Sequence, residues 1–408
     1  SPLTFQTEPK LPRQPVPASD GADYLKTIPG FSAVRNGGTN GDPVLRGMFG
    51  SRLNILTNDG AMPGACPARM DNPLSYVSPE TYDRLVVIKG PQTVRWGPGA
   101  SAGTVRFERD ASANRFETAG LRVDANALGG SFGRNDQVLD AVAGARLGYA
   151  RVSANRSEAD DYEDGQGREV PSSWKKWNAD AAFGWTPSEG TLLELSAGTG
   201  DGEARYAGRS MDGSQFERTS YGLRFEKTGM TGVFKQVEAS LFRNHADHVM
   251  DNYTLRDPNP MSAMPMPMAS NVDRRTTGGR VSTTWQMASI EVIAGADTQA
   301  SRHRARSATG RDAYLNQPRT TDAELANTGV FAEVQWQVND AGRAVFGARA
   351  DRAEVTDRRA STGGMMPMPN PTAGSDRRES LANGFVRYEH DAPDSPLSWF
   401  AGVGQRMI

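Results

Sequence analysis

Residues 234–250 read FKQVEASLFRNHADHVM. Val237, Ala239 and Leu241 are apolar, and Gln236, Glu238 and Ser240 between them are polar. Side chains in a strand point alternately to opposite faces, so this period of two predicts a β-strand with one apolar and one polar face. Carrying the phase forward puts His248 and Met250 on the polar side and His245 on the other.

The same pattern recurs downstream. In YARVSANR, Ala150, Val152 and Ala154 alternate with Arg151, Ser153 and Asn155. In VFAEVQWQV, Val330, Ala332, Val334, Trp336 and Val338 alternate with Glu333, Gln335 and Gln337. Between Gly120 and Gly404 the sequence supports about 13 such strands. Their connections alternate in length. Short ones are expected near Gly144–Leu147, Pro187–Gly190, Thr228–Thr231, Met287–Ser289, Asn339–Gly342 and Ala392–Ser395. Long polar ones are expected near 157–174, 201–214, 251–272, 305–321 and 357–378. A soluble sandwich has no reason to gather its long loops at one end. An outer-membrane barrel does, with short turns inside and long loops outside. A propeller is disfavoured because no blade signature repeats.

Composition agrees. The hydrophobic fraction is 37% and the net charge −2. That charge argues against a nucleic-acid partner. No run reaches the eighteen or so apolar residues of a membrane helix, but barrel strands escape that test. The single cysteine cannot form an internal disulfide. Residues 1–20, rich in Pro, are expected to be an extended linker. Residues 21–113 lack the monotonous alternation of the C-terminal part and read as a mixed α/β unit. It has a helical turn capped by Asp20, strands around Gly47 and Gly50, the strand RLVVIKG and the strand GTVRFER. Residues 114–408 are the barrel segment.

Two stretches of this unit, ADYLKTIPGFSAVRNGGTNGDPVLRGMFGSRLNILTNDGA and YDRLVVIKGPQTVRWGPGASAGTVRFERD, resemble the plug domain of TonB-dependent outer-membrane receptors. The resemblance extends from about Ala22 to the end. It implies an all-β transmembrane barrel, antiparallel and 22-stranded when complete, with the plug inside its lumen. It also implies the bacterial outer membrane as location, with outer-membrane lipid as surroundings. Its implied partner is TonB with the ExbB–ExbD energising complex, and no catalysis is implied. Thirteen strands are odd and too few for such a barrel, and the chain ends GVGQRMI without a terminal aromatic residue. About nine C-terminal strands are therefore expected to lie beyond this sequence. The short TonB-contacting box is expected ahead of Ser1.

The stretch GACPARMDNP (64–73) holds Cys66 and Met70, and HVM holds His248 and Met250. By these residues the chain is similar, within that family, to the copper-receptor group named for NosA and OprC. A thiolate, an imidazole and two thioethers form a soft donor set that favours copper, above all Cu(I), with Cu(II) as the alternative. Zinc accepts Cys and His but rarely thioether, and a siderophore would be read by aromatic and Arg side chains. Pro67 restricts the loop between Cys66 and Met70, while His248 and Met250, two apart, share the lumenal face. The resemblance implies that the Cys66 loop lies at the external top of the plug. His303 and His390 lack sulfur neighbours and stay outside the set. Two tracts, MSAMPMPM (Met261, Met264, Met266, Met268) and MMPMP (Met365, Met366, Met368), are kept extended by Pro and are expected to be weak auxiliary copper loops. Plug charges, among them Arg35, Arg84 and Arg106, are expected to pair with the barrel. The rival readings are a receptor for another metal-chelate or haem, and a copper-sequestering or sensing surface protein that does not transport.

Overall fold

The computed structural model describes residues 3–90, 92–98, 100–362, 367–391 and 397–407. Among them one antiparallel sheet of 13 strands runs from Gly120–Gly129 at one edge to Ser398–Gln405 at the other. Each barrel strand pairs with the next in sequence. The short links fall where the sequence places them, for example between Ala145 and Gly148 and between Met287 and Ile290. The expected short turn at Ala392–Ser395 lies outside the described residues. The long links span Ala159 to Trp174, Ala204 to Asp212, Asp251 to Met268, Thr309 to Thr320 and Asp357 to Asp376, and so gather at one end. Among the described residues no helix is long and apolar enough to cross a membrane.

The predicted faces are realised. Val152, Leu241 and Val330 are exposed on the outside, whereas Arg151, Ser153 and Glu333 are buried on the inside. Alternation breaks where the plug leans on the wall. Lumenal Ile293, Phe331, Val345 and Phe385 form an apolar patch around plug residue Val94. Beside it, Glu333 accepts hydrogen bonds from the Thr93 hydroxyl at 2.8 Å and the Val94 N–H at 3.3 Å.

The plug is built on a five-stranded sheet in the order Thr4–Thr7, Arg84–Lys89, Gly103–Glu108, Leu53–Thr57 and Gly60–Ala61. Thr4–Thr7, inside the segment read as a linker, is the edge strand, paired antiparallel with Arg84–Lys89. The short helix Gly21–Leu25 is capped by Asp20, which accepts from the Asp23 N–H at 2.7 Å. Leu25, Ile28, Leu45, Leu74, Leu85, Val87, Val105 and Phe107 make its core.

The expected pairing of plug charges with the barrel needs correction. Arg35 pairs with Asp20, Arg84 with Glu108, and Arg106 with Asp59 and Glu108, all inside the plug. Strand register explains this, because Arg84 lies directly across from Glu108. The junction uses other residues. Arg151 of the wall donates to plug Asp83 at 2.6 and 2.9 Å and to wall Asp140 at 2.8 and 2.6 Å. Lys10 reaches Asp83 at 2.9 Å and Asp140 at 2.7 Å. Arg109 of the plug meets Asp180 of the wall at 3.2 Å.

Burial alone would raise the Asp83 pKa, but Arg151 and Lys10 overcome it and hold the carboxyl well below its usual range. A depressed carboxylate pKa stabilises fully above the unfolded value of about 4 and loses that contribution as pH falls through the folded value. Plug docking at Asp83 is therefore expected to persist through mild acid and fail only in strong acid. Replacing Arg151 by Leu leaves two carboxylates to share the single charge of Lys10 and should weaken plug docking by about 3–5 kcal/mol. This is measurable as plug release, followed by protease sensitivity, at lower urea. Lys10→Ala should cost less, because Arg151 still pairs both carboxylates.

Candidate metal centre

The turn that carries the cysteine is organised by one carboxylate. Asp71 accepts from the Ala65 N–H, the Cys66 N–H and the Tyr76 hydroxyl, each at 2.7 Å. The Arg69 N–H closes the turn on the Cys66 carbonyl at 2.9 Å. Gly64 belongs here because a Cβ would sit 1.7 Å from the Asp71 carbonyl oxygen. Cys66 and Met70 are thus held in a turn rather than on a helix, and both side chains are buried.

The wall supplies the other half. His248 and Met250 lie on the strand Phe234–Asp251 and face inward as the alternation predicts, His248 with no exposed surface. The neighbouring strand Asp212–Lys227 shifts register between Gly213 and Gln215. His248 Nδ1 lies 2.8 Å from the Gln215 carbonyl next to this shift. Phe216 stacks on the imidazole with centroids 4.5 Å apart. Gly213 keeps this stack open, since a Cβ there would come 2.2 Å from the Phe216 ring. A carbonyl oxygen only accepts, so Nδ1 carries the hydrogen and Nε2 of the neutral ring carries the lone pair. Nε2 is buried and has no partner among the described residues.

The structure brings three of the four sequence candidates into one buried cluster. Cys66, Met70 and Met250 pack together with Met62, Tyr76 and Phe216, and the Cys66 Sγ lies 3.9 Å from the Met250 Sδ. The fourth, His248, joins through its stack on Phe216. Burial pushes the Cys66 thiol pKa up, against backbone N–H groups of Met70 and Ala68 near the sulfur. Among the described residues no three His, Cys, Asp or Glu side chains are grouped to hold a metal; the side chains gathered here bring the sulfurs of Cys66, Met62, Met70 and Met250.

Of the auxiliary methionines, Met261, Met266 and Met368 are exposed, Met264 and Met268 are half-buried, and Met365 and Met366 lie outside the described residues. Asn252, two residues after Met250, holds the first tract by its backbone. It donates to the carbonyls of Met264 and Met266 at 3.0 and 3.1 Å and accepts from the Met268 N–H at 2.8 Å.

Sequence reasoning passed over His303, which lies against the Cys66 turn, with Nε2 2.6 Å from the Ala65 carbonyl. The available signal was strand phase: Ile293, Ser301 and His303 share the buried face of their strand.

Comparison with known proteins adds the family. The TonB-dependent Receptor Plug Domain matches residues 4–104, and the TonB dependent receptor-like beta-barrel matches residues 153–407. A structure described as the copper transporter OprC is 59% identical with a TM-score of 0.96, over 99% of this chain and 62% of that one. The FrpB iron transporter from Neisseria meningitidis shares the fold at 14% identity and a TM-score of 0.74, over 98% of this chain and 64% of that one. A hemin receptor of Yersinia pestis is 26% identical over 137 residues, 31% of this chain and 20% of its own. The chain spans less than two thirds of each of these relatives. With a plug seated in a sheet of outward-apolar, inward-polar strands, and with both halves matched, the chain belongs to the TonB-dependent receptor family, non-enzymatic receptors of the bacterial outer membrane.

Proposed function

We propose that this chain is the plug and part of the barrel of a receptor that imports copper. Cys66 and Met70 from the plug and His248 and Met250 from the barrel would be the ligands. The observation that carries the reading is His248 Nε2. It is a buried lone pair with no partner among the described residues, two residues from a methionine whose sulfur lies 3.9 Å from the only cysteine. A buried unsatisfied polar atom is costly, and a soft metal would satisfy it. The likeness to a copper transporter supports the same cargo. The donor set favours Cu(I) over Cu(II).

The ligands come two from each body, so a change in plug position would pull the set apart and release the ion inward. TonB, energised by ExbB and ExbD, would supply that pull through the N-terminal segment. The strand Thr4–Thr7 at the plug edge and Lys10 at the junction lie first in its path.

The test is metal content of the complete receptor after exposure to equal copper and zinc. Wild type should retain about one copper and little zinc, and Cys66→Ala should lose it. Equal copper in both would reopen the cargo to a metal-chelate or haem. A second measurement addresses the loop. Exchanging Met261, Met264, Met266 and Met268 for Leu should leave the tightly held copper unchanged but slow uptake a few-fold when copper is scarce. The tract's exposed thioethers would then act only by raising the local concentration of the ion.

A further inference from the structure

The peptide bond that leads into Cys66 is held at both ends by different bodies. Its N–H, on Cys66, donates to Asp71 of the plug at 2.7 Å. Its carbonyl, on Ala65, faces His303 Nε2 of the barrel wall at 2.6 Å. The His303 side chain is almost fully buried. Its Nδ1 contacts the Asp322 carboxylate on the next strand. That contact has a cause in the backbone. Between the strands Ile290–Thr309 and Thr320–Gln337 the register shifts at His303. His303 lies opposite Ala323, Arg304 opposite Thr321, and Asp322 is the extra residue. A β-bulge re-aims a side chain, and this one turns Asp322 onto the imidazole.

The two lumenal histidines near Cys66 thus differ in kind. His248 has one ring nitrogen on a carbonyl and one without a partner. Both nitrogens of His303 face oxygen acceptors, an arrangement that needs a hydrogen on each and leaves no lone pair for a metal. We propose that His303, oriented by Asp322, is a positioning residue: it holds the Cys66 peptide of the plug in register with His248 and Met250 of the wall, and so sets copper affinity without touching the ion. This rests on the copper reading above. A ligand set divided between two bodies needs some link that fixes their relative position to a fraction of an ångström. Among the described residues the His303–Ala65 bond is the hydrogen bond from the wall that reaches the cysteine's own peptide unit. A hydrogen bond of 2.6 Å is lost once its atoms separate beyond about 3.5 Å, so a plug shift of about 1 Å would release the Cys66 peptide from His303.

The experiment uses the complete receptor, with Cys66→Ala as the blank that isolates alkylation of Cys66, which reports the same peptide without copper. Cu(I) affinity, by competition with a chromophoric chelator, and the maleimide reaction rate of the metal-free thiol would be measured for wild type, His303→Leu, His303→Gln, Asp322→Asn and Cys66→Ala. His303→Leu should weaken Cu(I) binding about tenfold, equal to about 1.4 kcal/mol, and speed alkylation by a similar factor. His303→Gln, whose amide still donates to the Ala65 carbonyl, should recover most of both, and Asp322→Asn should lie between. Asp322→Asn keeps the side-chain shape and so answers the question even if the Leu variant fails to assemble. Wild-type affinity and thiol reactivity in His303→Leu and Asp322→Asn, with copper lost in Cys66→Ala, would overturn the positioning role and leave the copper reading intact. An equal loss in the Gln and Leu variants would overturn the hydrogen-bond argument. Undiminished copper in Cys66→Ala would overturn both readings.

Discussion

A polypeptide in lipid must pair every backbone N–H and C=O within itself, since no water is there to do so. That constraint organises the rest of this molecule. It imposes the run of antiparallel strands, each bonded to its sequence neighbours. It sets the outward apolar and inward polar faces. It also creates a wide polar lumen that something must fill. The plug fills it, and because the lumen wall is polar, the plug is held mostly by charges and hydrogen bonds. Arg151, Asp83, Asp140 and Lys10 form one such junction. The patch of Ile293, Phe331, Val345 and Phe385 around Val94 is apolar and small. The attraction within such charge pairs falls steeply where water enters between them, because it scales inversely with the local dielectric constant.

The candidate centre follows the same division into two bodies. Asp71 shapes the turn from within the plug, while the register shift at Gly213 to Gln215 and the stack on Phe216 shape the wall side. Neither body holds the four proposed ligands alone. Affinity would then depend on plug position, which joins binding and release in one coordinate.

Much of this was legible along the chain itself. In 234–250 the alternation of Val237, Ala239 and Leu241 with polar neighbours set the lumenal face of His248 and Met250, and the structure buries both. The Asp20 cap and the strand RLVVIKG were also readable, because each depends on a few adjacent residues. What could not be read depends on residues far apart. Arg84 pairs with Glu108 rather than with the wall because sheet register puts them opposite. Thr4–Thr7 joins the plug sheet although its surroundings are rich in Pro, since an edge strand needs a partner on only one side. Strand phase could place His303 on the lumenal face, but nothing along the chain pointed to its partner Ala65, 238 residues away.

The sequence alone determined the strand periodicity, the two faces, the ends at which loops gather and the soft donor types at Cys66, Met70, His248 and Met250. These are properties of neighbours along the chain, and the period of two is enforced by the backbone itself. Only the tertiary structure decided which charges meet across the junction, that His248 Nε2 is left without a partner, and that Asp322 and His303 close on the peptide of Cys66. Those depend on shifts of a single residue between strands, and such a shift changes every partner while leaving the pattern along each strand unaltered.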